Sequence, residues 1–205
     1  MSTDTRSRRL HGDEGAVLVE FALALPFLAL VVFGIAEFTL AWRAETRLDS
    51  ATASSGRVAA AAATLTTADR AALVSVKASL PSELLATLDR VVIYKASAAD
   101  GKVPTACVPA VGSTSDVGVT NSCNSYSGNT VRAVTQASMT GFGGTSGMKD
   151  AYWAPSARLN TITGPPDYVG IYVRTTYNNR TATFWKNIQL TDSSVFRIQP
   201  DFTGL

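Results

Sequence analysis

The chain has 205 residues, 18 of them basic and 16 acidic, with a net charge of +2 and a hydrophobic share of 46%. That length suits one membrane segment with one modest domain rather than two full cores. Charges of both signs are scattered along the chain and give no field strong enough to argue for nucleic-acid binding.

Residues 1–15 form a polar leader containing Arg6, Arg8 and Arg9. The run from Ala16 to Ala36 is apolar apart from Glu20. At a rise of ~1.5 Å per residue it matches the ~30 Å hydrocarbon layer, which predicts a membrane-spanning helix over 16–40. A secretory signal fits less well, because its apolar run is ~7–15 residues long and ends at a small-residue cleavage site. Here alanine-rich, proline-free sequence continues to Leu65, which predicts a helical extension over 41–65, weakened locally by Gly56 and its serine neighbours.

Glu20 admits two readings. A carboxylate at membrane depth marks a functional position with a partner, yet this one lies close enough to the start of the apolar run to reach the headgroups. Pro26 removes one helical hydrogen bond and predicts a kink, which membrane helices tolerate. Glu37 reads as an interfacial charge, and Trp42 as an aromatic belt residue. Arg43, Arg47 and Arg57 after the segment nearly balance the arginines before it, so charge alone does not fix the orientation.

Beyond the rod, Thr66-Thr67-Ala-Asp69 opens a helix over Ala68 to Leu80, with Leu73, Val76 and Leu80 on one face, and Pro81-Ser82-Glu83 opens a second, shorter one. Strands are predicted at Arg90–Tyr94, Tyr168–Tyr177, Thr181–Trp185 and Val195–Ile198, with Asn178-Asn179 as a tight turn joining the second and third in a hairpin. Helices before a late sheet give an α+β domain over 66–205 with a mainly antiparallel sheet. Residues 96–164, rich in Gly, Ser, Thr, Asn and Pro, read as a polar surface loop.

Cys107 and Cys123 lie within that loop. If the region is exported they pair as a disulfide worth about 3 kcal/mol on the chain-entropy model; otherwise they are two buried thiols. His11, the single histidine, lies before the apolar segment, so neither a Cys/His metal cluster nor a Cys-His nucleophilic pair can be assembled. Thr140–Gly147 is glycine-rich but lacks Walker spacing, and Asn179-Arg180-Thr181 is read as a turn rather than a glycosylation site. With no serine elbow and no clustered carboxylates, no enzymatic activity and no cofactor are expected.

One pattern is more specific than any of these. Gly15-Ala16-Val17-Leu18-Val19-Glu20-Phe21 resembles the class III signal of Tad-type prepilins, in which a glycine and four residues precede Glu-Phe or Glu-Tyr at the head of an apolar helix. The following Ala-Leu-Ala-Leu-Pro26 and the exit Phe33-Gly-Ile-Ala-Glu37-Phe38 look like the TadE-type version. The likeness covers about residues 12 to 45; beyond them it rests on general layout.

The resemblance implies cleavage between Gly15 and Ala16 by a prepilin peptidase on the cytoplasmic side. It implies that the new amino group on Ala16 is neutralised by Glu20 of the same or a neighbouring subunit, with Phe21 beside it at the helix head. It also implies a cytoplasmic N-terminus, an extracytoplasmic domain, and partners among other Tad pilins and assembly-platform proteins in the lipid bilayer. The expected function is that of a minor pseudopilin or membrane component in assembly of a Tad-type pilus used for adhesion or secretion. The alternative is a membrane-anchored extracellular binding or adhesin domain that uses the helix only as a tether.

Overall fold

A computed structural model describes residues 13–62, 64–138, 140–160, 165–180 and 187–199. Its dominant element is one helix, α1, Asp13–Ala62, which runs without interruption through Pro26. At ~1.5 Å per residue its 50 residues extend about 75 Å.

The two ends of α1 meet different surroundings. Its apolar membrane-length window has none of its residues buried. From Ala41 onward one stripe, Ala44, Leu48, Ala51, Ala59 and Ala60, enters the domain core at helical spacing. Thr52 and Ser55 share the buried side, and their hydroxyls donate to the carbonyls of Leu48 and Ala51, so no polar atom there is left unsatisfied. At Gly56 the bare backbone receives the Phe196 ring; a Cβ would stand 2.5 Å from it. The small residues that look like weak points of the rod in the sequence are therefore its packing face.

Three shorter helices follow: α2, Ala68–Ser79, α3, Ser82–Ala86, and α4, Gly128–Ala133. Leu73, Val76 and Leu80 are all buried, as the periodicity predicts. The sheet comprises β1, Leu88–Ala96, β2, Val117–Val119, β3, Cys123–Ser127, β4, Tyr168–Tyr177, and β5, Ile188–Arg197. The strands lie in the order β2-β3-β1-β4-β5, and every pairing is antiparallel. A long apolar helix followed by short helices and an antiparallel sheet is the expected α+β arrangement.

Alternation along the central strands separates two cores. Val91 and Ile93 of β1 and Val169, Ile171 and Val173 of β4 join the core that includes α1 and α2. Val92, Tyr94, Ala96 and Cys123 belong to a second cluster with Cys107 and partly buried Val103 and Val108.

Two expectations need correction. Tyr177 of β4 pairs with Ile188 of β5, so ten residues join these strands and Asn178-Asn179 is not a two-residue turn between them. The partner of β4 is β5, which begins well before the expected Val195, while the expected strand Thr181–Trp185 lies outside the described residues. Residues 96–164, read as a loop, contain β2, β3 and α4. The reason is chemical. Strand β3 reads Cys-Asn-Ser-Tyr-Ser and is buried throughout, with polar partners replacing the apolar alternation by which strands are recognised.

Those partners converge on Asp69 of α2, a fully buried carboxylate. It forms an ion pair with Arg158 and accepts hydrogen bonds from Asn124 Nδ2 at 2.8 Å and the Tyr126 hydroxyl at 2.6 Å. Burial first, then the Asp69 carboxylate, pushes the Tyr126 phenol well above its ordinary pKa, which keeps it a donor. The Arg158 guanidinium also stacks over the Trp153 ring, 4.4 Å from its centroid.

Candidate functional site

The site residues suggested by the sequence fall at the two ends of the molecule. Gly15, Ala16, Glu20, Phe21 and Pro26 all lie on the exposed half of α1. Ala16 and Glu20 are four residues apart and therefore neighbours on one helical face, within a side chain's reach of each other. Glu20 is the one charge between Gly15 and Ala36, on a cylinder otherwise made of Ala, Val, Leu, Ile, Phe, Gly and Pro. Pro26 leaves the Ala22 carbonyl without its usual donor, yet the helix continues through it.

Gly15 has no packing role. A Cβ added there would meet nothing within 4 Å. This contrasts with Gly56, Gly118, Gly128 and Gly170, where neighbouring atoms occupy the space.

At the other end, Cys107 and Cys123 form a disulfide. It joins a short 3-10 turn, Thr105–Cys107, to the start of β3. The chain between these cysteines is also held by side chains of the sheet. Arg90 donates to the carbonyls of Ser113 and Ser115, at 2.5 and 2.8 Å. Arg174 pairs with Asp89 at 2.6 Å and donates to the Pro109 carbonyl at 2.8 Å, while Asp89 accepts from the Gly112 N–H at 2.8 Å. Asp116 accepts from the Ser127 N–H, the Thr130 hydroxyl and Lys149. Burial alone would raise its pKa, but these donors, led by Lys149, outweigh it and hold the carboxyl below its usual range.

The region where α1 leaves its apolar stretch holds features that sequence reading assigned differently. Glu37 is only 1% exposed, and its Oε1 accepts the backbone N–H of Arg180 at 3.0 Å. It faces the domain rather than lipid headgroups. Trp42 is exposed, as a belt residue would be. Just beyond it, two grooves flank α1. One is lined by Trp42, Glu45, Thr46, Asp49 and Asp192, and the other includes Arg43, Arg47, Glu83 and Arg180. The sequence signal for them was present in the i, i+4 spacing of Arg43 with Arg47 and of Glu45 with Asp49, but it does not say which charges from the sheet complete each side.

The long helix, apolar and bare at its start and built into a domain at its end, sets the frame for the comparison with known families. Residues 15–57 match the TadE-like protein family. The TadE-like segment thus begins at Gly15 and ends beside Gly56, taking in the whole exposed half of α1 and most of the half that packs on the sheet. This is consistent with a TadE-like pilus assembly protein. Among the described residues one helix is long and apolar enough to cross a membrane, which fits a single-pass membrane protein. Neither the comparison with curated proteins nor that with solved structures returned a match.

Proposed function

We propose that this chain is a minor pseudopilin or membrane component that takes part in assembling a Tad-type pilus. In this reading the leader is cytoplasmic, a prepilin peptidase cuts between Gly15 and Ala16, and the domain lies outside the cytoplasmic membrane. The freed amino group of Ala16 sits one helical turn from Glu20, so the carboxylate can neutralise it within the chain or serve the amine of a neighbour. Either pairing offsets the cost of a charge on an otherwise apolar helix.

The observation that carries the reading is the state of Gly15. Gly56, Gly118, Gly128 and Gly170 are explained by close contacts and Gly112, Gly141, Gly143, Gly144 and Gly147 by a positive φ, whereas Gly15 stands on an exposed helix with open space around it. A residue without Cβ there suits a peptidase that must approach the backbone. The Cys107–Cys123 disulfide agrees with an oxidising, extracytoplasmic location.

The test is mass spectrometry of the mature N-terminus in a strain with an active prepilin peptidase. The mature chain should begin at Ala16. Since no neighbour is crowded by a side chain at position 15, Gly15→Leu should fold normally and remain uncut. Glu20→Gln should be cut but fail to assemble. A wild-type chain that keeps its leader under these conditions would refute the reading.

A further inference from the structure

The two grooves beside α1 carry opposite charge at the same height. Among the described residues, Glu45, Asp49 and Asp192 line one of them with no basic residue. The other holds Arg43, Arg47 and Arg180, with Glu83 as its acidic member, and Glu83 already pairs with Arg180. Among the described residues, neither Arg43 nor Arg47 takes part in an ion pair, and the same holds for Glu45, Asp49 and Asp192. Asp192 also has a side-chain oxygen, Oδ2, buried without a hydrogen-bond partner.

Helical geometry places the two sets on opposite flanks. At about 100° per residue, Arg43 and Arg47 lie about 40° apart, and Glu45 and Asp49 lie about 200° further round. Each set begins within a turn or two of the apolar exit at Phe38 and Trp42. A membrane that holds every copy at one depth by the same apolar run therefore sets the basic flank of one copy level with the acidic flank of the next.

We propose that these flanks are a self-association surface, on which Arg43 and Arg47 of one copy enter the Glu45/Asp49/Asp192 groove of a second copy just outside the bilayer. The contact is heterologous: each copy offers its basic flank to one neighbour and its acidic flank to another, so copies side by side form an open row rather than a closed pair. The second copy is favoured over other occupants because one chain presents both halves of the complementary surface at matching height. A lipid phosphate would satisfy only the arginines and leave the three carboxylates without a counter-charge. The proposal rests on the membrane-anchored reading of α1 and adds to it the surface by which subunits meet.

Disulfide trapping in bacterial membranes tests it on the full-length chain, because Cys107 and Cys123 are already bonded to each other and an introduced cysteine is distinguishable. Differently tagged copies carrying Arg47→Cys and Asp49→Cys are co-expressed and oxidised. The mixed dimer should form at least several-fold faster than either self-pair, and one chain carrying both substitutions should give a ladder beyond the dimer. Adding Arg43→Glu to the first copy should lower the mixed product several-fold, and adding Glu45→Lys to the second should restore it.

Self-pairing of Arg47→Cys that equals the mixed product would overturn the proposal in favour of a two-fold contact. So would trapping that ignores Arg43→Glu, or no trapping at all. Loss of trapping together with anionic lipid co-purifying in an Arg43- and Arg47-dependent way would assign the basic groove to headgroups instead. N-terminal processing is scored on the same samples. A processed chain that fails to cross-link defeats the pairing alone, and an unprocessed chain that cross-links as described defeats the pilin reading alone.

Discussion

The backbone N–H of Arg180 donates to the Glu37 carboxylate at 3.0 Å, tying the segment after β4 to the last acidic residue of the membrane-proximal part of α1. Arg180 also pairs through its side chain with Glu83 of α3. One residue of that segment thus links the emerging helix to the helical cover of the domain.

Replacing Glu37 should loosen this junction. Glu37→Ala leaves a partly buried N–H without its acceptor and should cost about 1 kcal/mol, while Glu37→Gln keeps an acceptor and should cost less. Thermal unfolding of the full chain in detergent gives the total effect. Limited proteolysis near Arg180 should show faster cutting in the alanine variant than in the glutamine one.

The Asp69–Arg158 pair should be the most sensitive polar contact in the domain. Asp69→Ala strands a buried guanidinium and removes the acceptor for Asn124 and Tyr126. Breaking a buried pair in this way costs about 3–5 kcal/mol, a large part of a stability of about 5–15 kcal/mol. Denaturant unfolding should show that loss. Adding Arg158→Met, which removes the stranded charge, should recover part of it; a double variant no more stable than Asp69→Ala would show that the charge was not the cause.

Gly128 and Gly112 should respond differently to alanine. A Cβ on Gly128 would lie 1.8 Å from the Leu88 carbonyl oxygen, where only a backbone shift makes room. Gly112 has φ +80° and open space, so alanine there meets only the conformational penalty. Gly128→Ala should lower stability by about 3 kcal/mol and Gly112→Ala by about 1 kcal/mol, measured by parallel unfolding curves.

Asp116 gives a pH dependence with a definite sign. Its carboxyl is held below its ordinary pKa in the folded chain, so the unfolded state binds the proton more readily. The resulting stability is complete above the unfolded value of about 3.9 and is lost as pH falls through the lower folded value. Asp116→Asn should therefore be less stable than the wild type at pH 6, by about 1 kcal/mol given the partial exposure of Lys149. The gap should close as the pH is lowered from 5 towards 2. A gap that stays constant over that range would mean that the charge on Asp116 contributes nothing.

Much of the frame was legible from local patterns. The apolar run shows as an unbroken stretch, the face of Leu73, Val76 and Leu80 as helical periodicity, and β1 and β4 as clusters of β-branched and aromatic residues. Strand β3 was not legible, since it is a polar run whose Asn124 and Tyr126 are buried through hydrogen bonds to Asp69 and Trp153, residues far away along the chain. Glu37 was misread for a related reason. A glutamate at the end of an apolar helix looks interfacial until the segment that supplies its donor, more than a hundred residues later, is folded against it. The Gly15–Glu20 pattern was visible at once, because it is local in the sequence.

The continuity of α1 has a mechanical consequence. Leu48, Ala51 and Ala59 are as much part of that helix as Val17 or Leu28, with no joint or linker between the greasy shaft and the folded head. A pull on the lipid-embedded end is therefore delivered straight into the packing between helix and sheet, and the head travels with its shaft instead of swinging on it.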